Sequence, residues 1–132
     1  MTRDEMVLYW IETSDGDYST MKHLFEAKDY HWSLFIGHLV IEKLIKAVYT
    51  KVSEEYQSVP FSHDLLYLAE KAKLDLTDEL KTNLAVITTF NIQARYPDYK
   101  KAFYEKCTHD YSSSRLKDIE EVRKWLKELL ST

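Results

Sequence analysis

The sequence predicts an all-α fold: a single domain over residues 1–132, built as an antiparallel up-and-down bundle of four to five helices. Three observations carry this expectation. Two glycines and two prolines leave too few turn formers for a β-rich chain. Long segments rich in Leu, Glu, Lys and Ala place apolar residues at three- and four-residue steps. No internal repeat, low-complexity tract or linker divides the chain, and a domain of this size buries roughly two-thirds of its unfolded surface.

The first helix is predicted from about Asp4 to Lys28, with Val7, Trp10, Tyr18, Met21, Leu24 and Phe25 along one stripe. Gly16 lies inside it and costs about 1 kcal/mol against alanine, so this is its weakest turn. Asp17 stands near the stripe as a boundary residue exposed to water. The second helix runs from about Tyr30 to Val52. Leu34, His38, Ile41, Leu44, Ile45 and Val48 form one stripe, and Phe35, Leu39, Lys46 and Tyr49 a neighbouring one. Apolar residues on so much of the circumference predict a central helix packed on several sides. Glu42 and Lys46 stand four apart and pair along it.

After Pro60, Ser62-His63-Asp64 predicts a third helix with Ser62 as N-cap. Thr77 or Asp75 caps a fourth, carrying Leu80, Leu84, Ile87 and Phe90 or Asn91 on one face. The last helix is expected after Ser112 or Ser113, with Leu116, Ile119, Val122, Leu126, Leu129 and Leu130 at helical spacing. The stretch from Arg95 to Tyr111 is long for a helix–helix connection, which marks it as functional, flexible or holding a short helix of its own. It also holds the chain's basic–aromatic cluster: Tyr96, Tyr99, Phe103 and Tyr104 interleave with Lys100, Lys101 and Lys106.

Composition narrows the chemistry. A formal charge of −4 sets up no global basic field for nucleic acid, so any such contact needs a local patch. The lone Cys107 excludes an internal disulfide and fits a reducing cytosol, and no apolar run approaches the roughly 20 residues that span a bilayer. A cytoplasmic protein without membrane contact is expected. No glycine-rich phosphate loop is present, so nucleotide recognition would rest on side chains. His63-Asp64 and His109-Asp110 lie where helices begin, where an aspartate favours the helix dipole without any metal. His23, His31 and His38 lack a completing ligand, His38 reads as a core or interface histidine, and Cys107 has no base beside it in sequence. Neither a metal nor a cofactor is expected.

The most informative feature is Arg95-Tyr96-Pro97-Asp98. Pro97 fixes its own φ and pushes Tyr96 out of the α region, so the preceding helix ends near Arg95. An arginine there caps the last carbonyls and complements the helix dipole, or presents its planar guanidinium for bidentate capture of a carboxylate or phosphate.

The order of these features resembles the HEPN domain family, helical domains of prokaryotes and some eukaryotic proteins. The resemblance rests on Trp10 with Asp17-Tyr18, the run Glu42-Lys43-Leu44-Ile45-Lys46-Ala47, His63-Asp64-Leu65, and Ala94-Arg95-Tyr96-Pro97-Asp98, and it spans nearly the whole chain. It implies about five helices and commonly a homodimer whose interface forms a cleft. Some members are metal-independent endoribonucleases, often toxins, built around an arginine followed five to seven positions later by a histidine. Others are accessory domains beside minimal nucleotidyltransferases that bind a nucleotide or the transferase substrate. This chain departs from the nuclease pattern: Lys100, Lys101 and Ala102 occupy those positions after Arg95, and Arg3, Arg115 and Arg123 have no such histidine either.

The resemblance therefore implies a homodimeric nucleotide- or substrate-binding module acting with a minimal nucleotidyltransferase. Arg95 would be the main anion contact, with Lys46 as a second positive charge and Tyr96 stacking on a base. Glu42 would orient Arg95 through a carboxylate–guanidinium pair, and His63 and Asp98 would line the pocket. Two alternatives stand beside it. One is a divergent endoribonuclease using Arg95 with His63 or His109, since metal-free cleavage needs a base and a charge stabiliser. The other is a partner-binding protein without a small ligand.

Overall fold

A computed structural model describes residues Met1–Thr132 as six helices without strands: α1 Arg3–Glu26, α2 Tyr30–Val52, α3 Leu65–Lys71, α4 Asp78–Gln93, α5 Pro97–Lys106 and α6 His109–Leu130. No helix is long and apolar enough to cross a membrane. The count exceeds the expected four to five because Pro97 starts a helix as well as stopping one. Tyr96 is extended at φ −85°, ψ 130°, and Pro97 occupies the first turn of α5, where its missing N–H and fixed φ cost nothing.

Two helix starts also differ from expectation. Asp64, not Ser62, caps α3 by accepting from the Leu66 and Tyr67 amides, and Ser62 Oγ instead accepts from the Asp64 amide. Thr108 caps α6 through the Tyr111 amide, so α6 begins before Ser112, which lies buried within it. Thr77 caps α4 as read from sequence.

α1 and α2 form an antiparallel hairpin. Ser14 Oγ donates to the Val40 carbonyl at 2.8 Å and Ser33 Oγ to the Met21 carbonyl at 2.8 Å, two buried bonds that set the register. Asp17 accepts from Lys43 at 2.6 Å and is an ion-pair partner across this hairpin, not a free boundary residue. α6 runs antiparallel to α1, with Asp15 held by Arg123 and Lys127 and Tyr18 donating to Glu120.

The core centres on α2. Fourteen of its 23 residues are buried, against two of 24 in α1, so α2 is the element the others surround. Leu34, Ile41, Leu44 and Ile45 of α2 meet Met21, Leu65, Leu84, Ile87, Phe90, Ile119 and Leu126 in one continuous cluster. Gly37 lies where α1 and α6 press on α2. A Cβ there would stand 2.5 Å from Ile119 Cδ1 and 3.1 Å from Met21 Sδ, whereas one on Gly16 would meet nothing.

This contrast gives a prediction. Gly16→Ala gains helix propensity in open space and raises stability by about 1 kcal/mol. Gly37→Ala gains the same propensity but overpacks a close crossing, a cost of about 1–3 kcal/mol. Urea unfolding should rank Gly16→Ala above wild type and Gly37→Ala at least about 1 kcal/mol below Gly16→Ala. Equal gains in both would refute the tight crossing.

Candidate functional site

Glu42 is the centre of the polar cluster on α2. Its carboxylate is buried, with 5% of the residue exposed. Oε1 accepts from His63 Nδ1 at 2.6 Å and Oε2 from Lys46 Nζ at 3.3 Å. Lys46 is itself largely buried, with its ammonium 5.6 Å from the centre of the Trp10 ring. It neutralises Glu42 inside the fold and is not the solvent-facing pair its spacing suggests.

The hydrogen bonds fix the tautomers of both neighbouring histidines. The Glu42 carboxylate accepts, so Nδ1 of His63 carries a proton, and in the neutral ring Nε2 keeps the lone pair; about half of the His63 side chain is open to solvent. The His63 carbonyl accepts from His38 Nε2 at 2.8 Å, which leaves His38 Nδ1 as a buried lone pair without a donor. Burial pushes the His38 pKa down. The charges of His63 and Arg95 add to that, against the His63 carbonyl and Glu42, which act to raise it. Arg95 and His63 therefore both stand within electrostatic reach of His38. The spacing of His38 and Glu42, four apart on α2, is the mark of this pair in the sequence.

Arg95 emerges just past the C-terminus of α4. Its Nε donates to the Asn91 carbonyl at 3.0 Å, so it does cap the helix. The rest of the guanidinium lies 5.6 Å from the Phe35 ring centre and 5.8 Å from Tyr96, and it pairs with no carboxylate. The expected Glu42–Arg95 pair does not form. Both Glu42 oxygens are taken by His63 and Lys46, and the end of α4 directs Arg95 outward.

Of the residues singled out in sequence, the fold thus gathers Glu42, Lys46 and His63, with Arg95 and Tyr96 at the margin. Asp98 stays apart, in the first turn of α5 and without a side-chain hydrogen bond. His109 packs at an angle against Phe25 at the end of α1 and edge-on against Tyr30 at the start of α2. Twelve helical residues, about 18 Å of axis, separate Tyr30 from Glu42, so His109 does not join the cluster. His38 is the member that sequence reasoning assigned to a core or interface alone.

The arrangement offers an uncompensated guanidinium, an imidazole oriented by a buried carboxylate, and two aromatic faces. Such groups bind a phosphate and stack a base. The HEPN domain model matches residues 7–129 of the chain. No curated protein and no solved structure matches it.

His38 makes stability pH-dependent. Its folded pKa lies below the ordinary 6.5, as does that of His31, which burial also lowers. The unfolded chain then binds more protons below pH 6.5, so stability is fully present above that value and falls as acid passes through the window beneath it. Thermal melts should show a falling Tm from about pH 7 to about pH 5. His38→Gln, which retains a donor for the His63 carbonyl, should fall less steeply. A slope unchanged in His38→Gln would rule out His38 as a source.

Proposed function

This chain belongs to the HEPN domain family, and from that membership together with the unpaired Arg95 we propose that it is a nucleotide- or substrate-binding module. The family supports a nucleotide- or RNA-related role, and the finer assignment rests on this chain's own residues. The observation that carries it is the Arg95 guanidinium: capped to α4 through Nε, flanked by Phe35 and Tyr96, and free of any carboxylate. A fixed cation without a counterion, beside two rings, suits a phosphate with its base. His63, which like Arg95 acts on His38 through its charge, is the second polar contact of this reading. Lys46 contributes by holding Glu42 rather than by touching the ligand.

HEPN domains often form dimers, and we extend this to a homodimer of the present chain. Phe61, two residues before His63, is fully exposed, and Ile92, three before Arg95, is nearly half exposed. Exposed apolar side chains flanking the site in this way favour a second copy on this face. A minimal nucleotidyltransferase is the proposed functional partner.

One observation favours a second reading, the endoribonuclease. His63 has the form of a general base, with Nδ1–H held by a buried carboxylate and Nε2 facing out. With Arg95 to stabilise the phosphorane, the pair would support metal-free cleavage at a 2′-hydroxyl.

Calorimetric titration with ATP and other nucleoside triphosphates tests the first reading. Wild type should bind in the micromolar range, and Arg95→Ala should lose at least about tenfold. Its helical content should be intact and its stability lower by about 1 kcal/mol at most, the value of one cap bond. Loss of folding with retained binding would make Arg95 structural only. Incubation of metal-free protein with single-stranded RNA tests the second reading: cleavage lost in both Arg95→Ala and His63→Ala establishes it, and intact RNA removes it.

A further inference from the structure

Residues Ser53–Asp64 cross from the end of α2 to the start of α3 with one turn and no other regular structure. The first half of this strap is tied down at intervals. Arg3 donates to the Ser53 carbonyl at 2.9 Å, and the Tyr49 hydroxyl lies within 3.4 Å of the Glu55 and Ser58 carbonyls. From Val59 to Ser62 no backbone group bonds within the protein, and Phe61 stands fully exposed. His63 is where the loose half meets α2 again.

His63 is fastened twice. Its ring donates to Glu42 Oε1 at 2.6 Å, and its carbonyl accepts from His38 Nε2 at 2.8 Å. Both fastenings lie beside one buried imidazole. His38 is wholly buried, with Glu42 Oε1 4.0 Å from its Nε2 and the two imidazole centres 6.1 Å apart. His38 Nδ1 is buried without any partner. In the neutral ring that atom is a single unused lone pair. In the charged ring it becomes a buried N–H with no acceptor, the far costlier case.

The surroundings do not absorb such a charge. The charged groups that act on His38 are Glu42 from α2, His63 from the strap and Arg95 from beyond the end of α4. Lys46 is held on the other oxygen of Glu42, and Asp64 is turned to the amides that open α3. One carboxylate already serves an ammonium and an imidazole. A protonated His38 then has two ways to gain a partner. Glu42 Oε1 moves onto its Nε2, or water enters to reach Nδ1. Water enters most readily past the strap, because the other covers of His38 are helices with complete backbone ladders. Each response undoes a fastening of His63, since the same Oε1 and the same Nε2 hold it.

We propose that Ser53–Asp64 is a proton-released strap, closed while His38 is neutral and opened at its His63 end when His38 takes up a proton. Burial keeps His38 neutral above its ordinary range, so the strap is closed near pH 7 and opens in mild acid. The opening is local and precedes loss of the whole fold. The strap stands on the bonds of His63. Its effect on ligand binding rests on the reading of His63 as a contact of the Arg95 site.

Amide hydrogen exchange read by NMR, corrected for the intrinsic pH dependence of exchange, tests the strap beside titration of the His38 ring nitrogens. The Leu65 amide, which donates to Thr88 just past His63, is the reporter. From about pH 7 to about pH 5 its protection should fall at least about tenfold more than that of Leu44 in mid-α2. The midpoint should coincide with the His38 titration, and in His38→Gln the Leu65 protection should stay constant. Equal loss at Leu65 and Leu44 is global unfolding and refutes the strap. A loss that persists in His38→Gln refutes it too. So does a midpoint apart from the His38 titration, which wild type alone reveals if the variant does not fold. Calorimetry with ATP separates strap from site: binding should weaken toward pH 5 by at least about threefold more in wild type than in His38→Gln. Selective opening with the same pH dependence of ATP binding in both proteins upholds the strap and removes His63 from the site. If ATP does not bind at pH 7, the Arg95 reading falls, and the exchange result alone upholds or refutes the strap.

Discussion

A buried carboxylate in the middle of the central helix organises the end of this bundle that holds the candidate site. An ionised group away from water costs several kcal/mol unless hydrogen-bonded and paired, and Glu42 meets both demands through His63 and Lys46. That requirement pins the end of the long connection after α2. The His63 ring is held by Glu42 while its carbonyl accepts from His38, so ring and backbone of one residue are both tied to α2. Asp64 then caps α3, and Thr88 of α4 accepts from the Leu65 amide. The placement of α4, and so of Arg95 past its end, follows from a chain of polar contacts that begins at Glu42. Apolar packing alone would tolerate slippage; satisfied buried polar groups do not.

Pro97 does the complementary work at the other margin. By forcing Tyr96 into extended backbone it ends the α4 segment after Arg95, yet its own φ suits the first turn of a new helix. The chain therefore turns a corner without a flexible loop. Arg95 is presented on one side of that corner and the lysines of α5 on the other. In a molecule of net charge −4, this places positive side chains where the global field would not.

Much of the fold is legible in the sequence because helical periodicity and cap chemistry are local. The bounds of α2 and the cap at Thr77 both follow from signals that lie within a few residues. The misplaced starts of α3 and α6 share one cause: several capping residues stand in a row at Ser62 to Asp64 and at Thr108 to Ser113, and only tertiary packing selects among them. The candidate site is legible in its members but not in its pairings. Glu42, His63 and Arg95 all carry signals, yet nothing in one dimension says whether Glu42 meets Arg95 or His63. That choice depends on where the connection after α2 returns, which spacing does not encode. The contact of His31 with Tyr104 is equally hidden, since 73 residues separate them and their meeting depends on how α5 folds back on α2.

The geometry of His63 would serve either proposed role, binding or cleavage, and the difference lies in the proton. With Nδ1–H committed to Glu42, the outward Nε2 accepts a proton from a hydroxyl when neutral and donates to a phosphate when charged. Family nucleases place their histidine five to seven positions after the arginine. Here those positions supply Lys100 and Lys101, which bring positive charge in place of an imidazole. The exchange strengthens attraction for phosphate while leaving proton transfer to a single residue from elsewhere in the fold. A nuclease gains little from holding its cleaved strand more tightly, because product release then slows turnover. A binding module gains directly from each added cation. Lysines at those positions, beside an arginine that pairs with no carboxylate, support the proposed capture of a phosphate-bearing ligand.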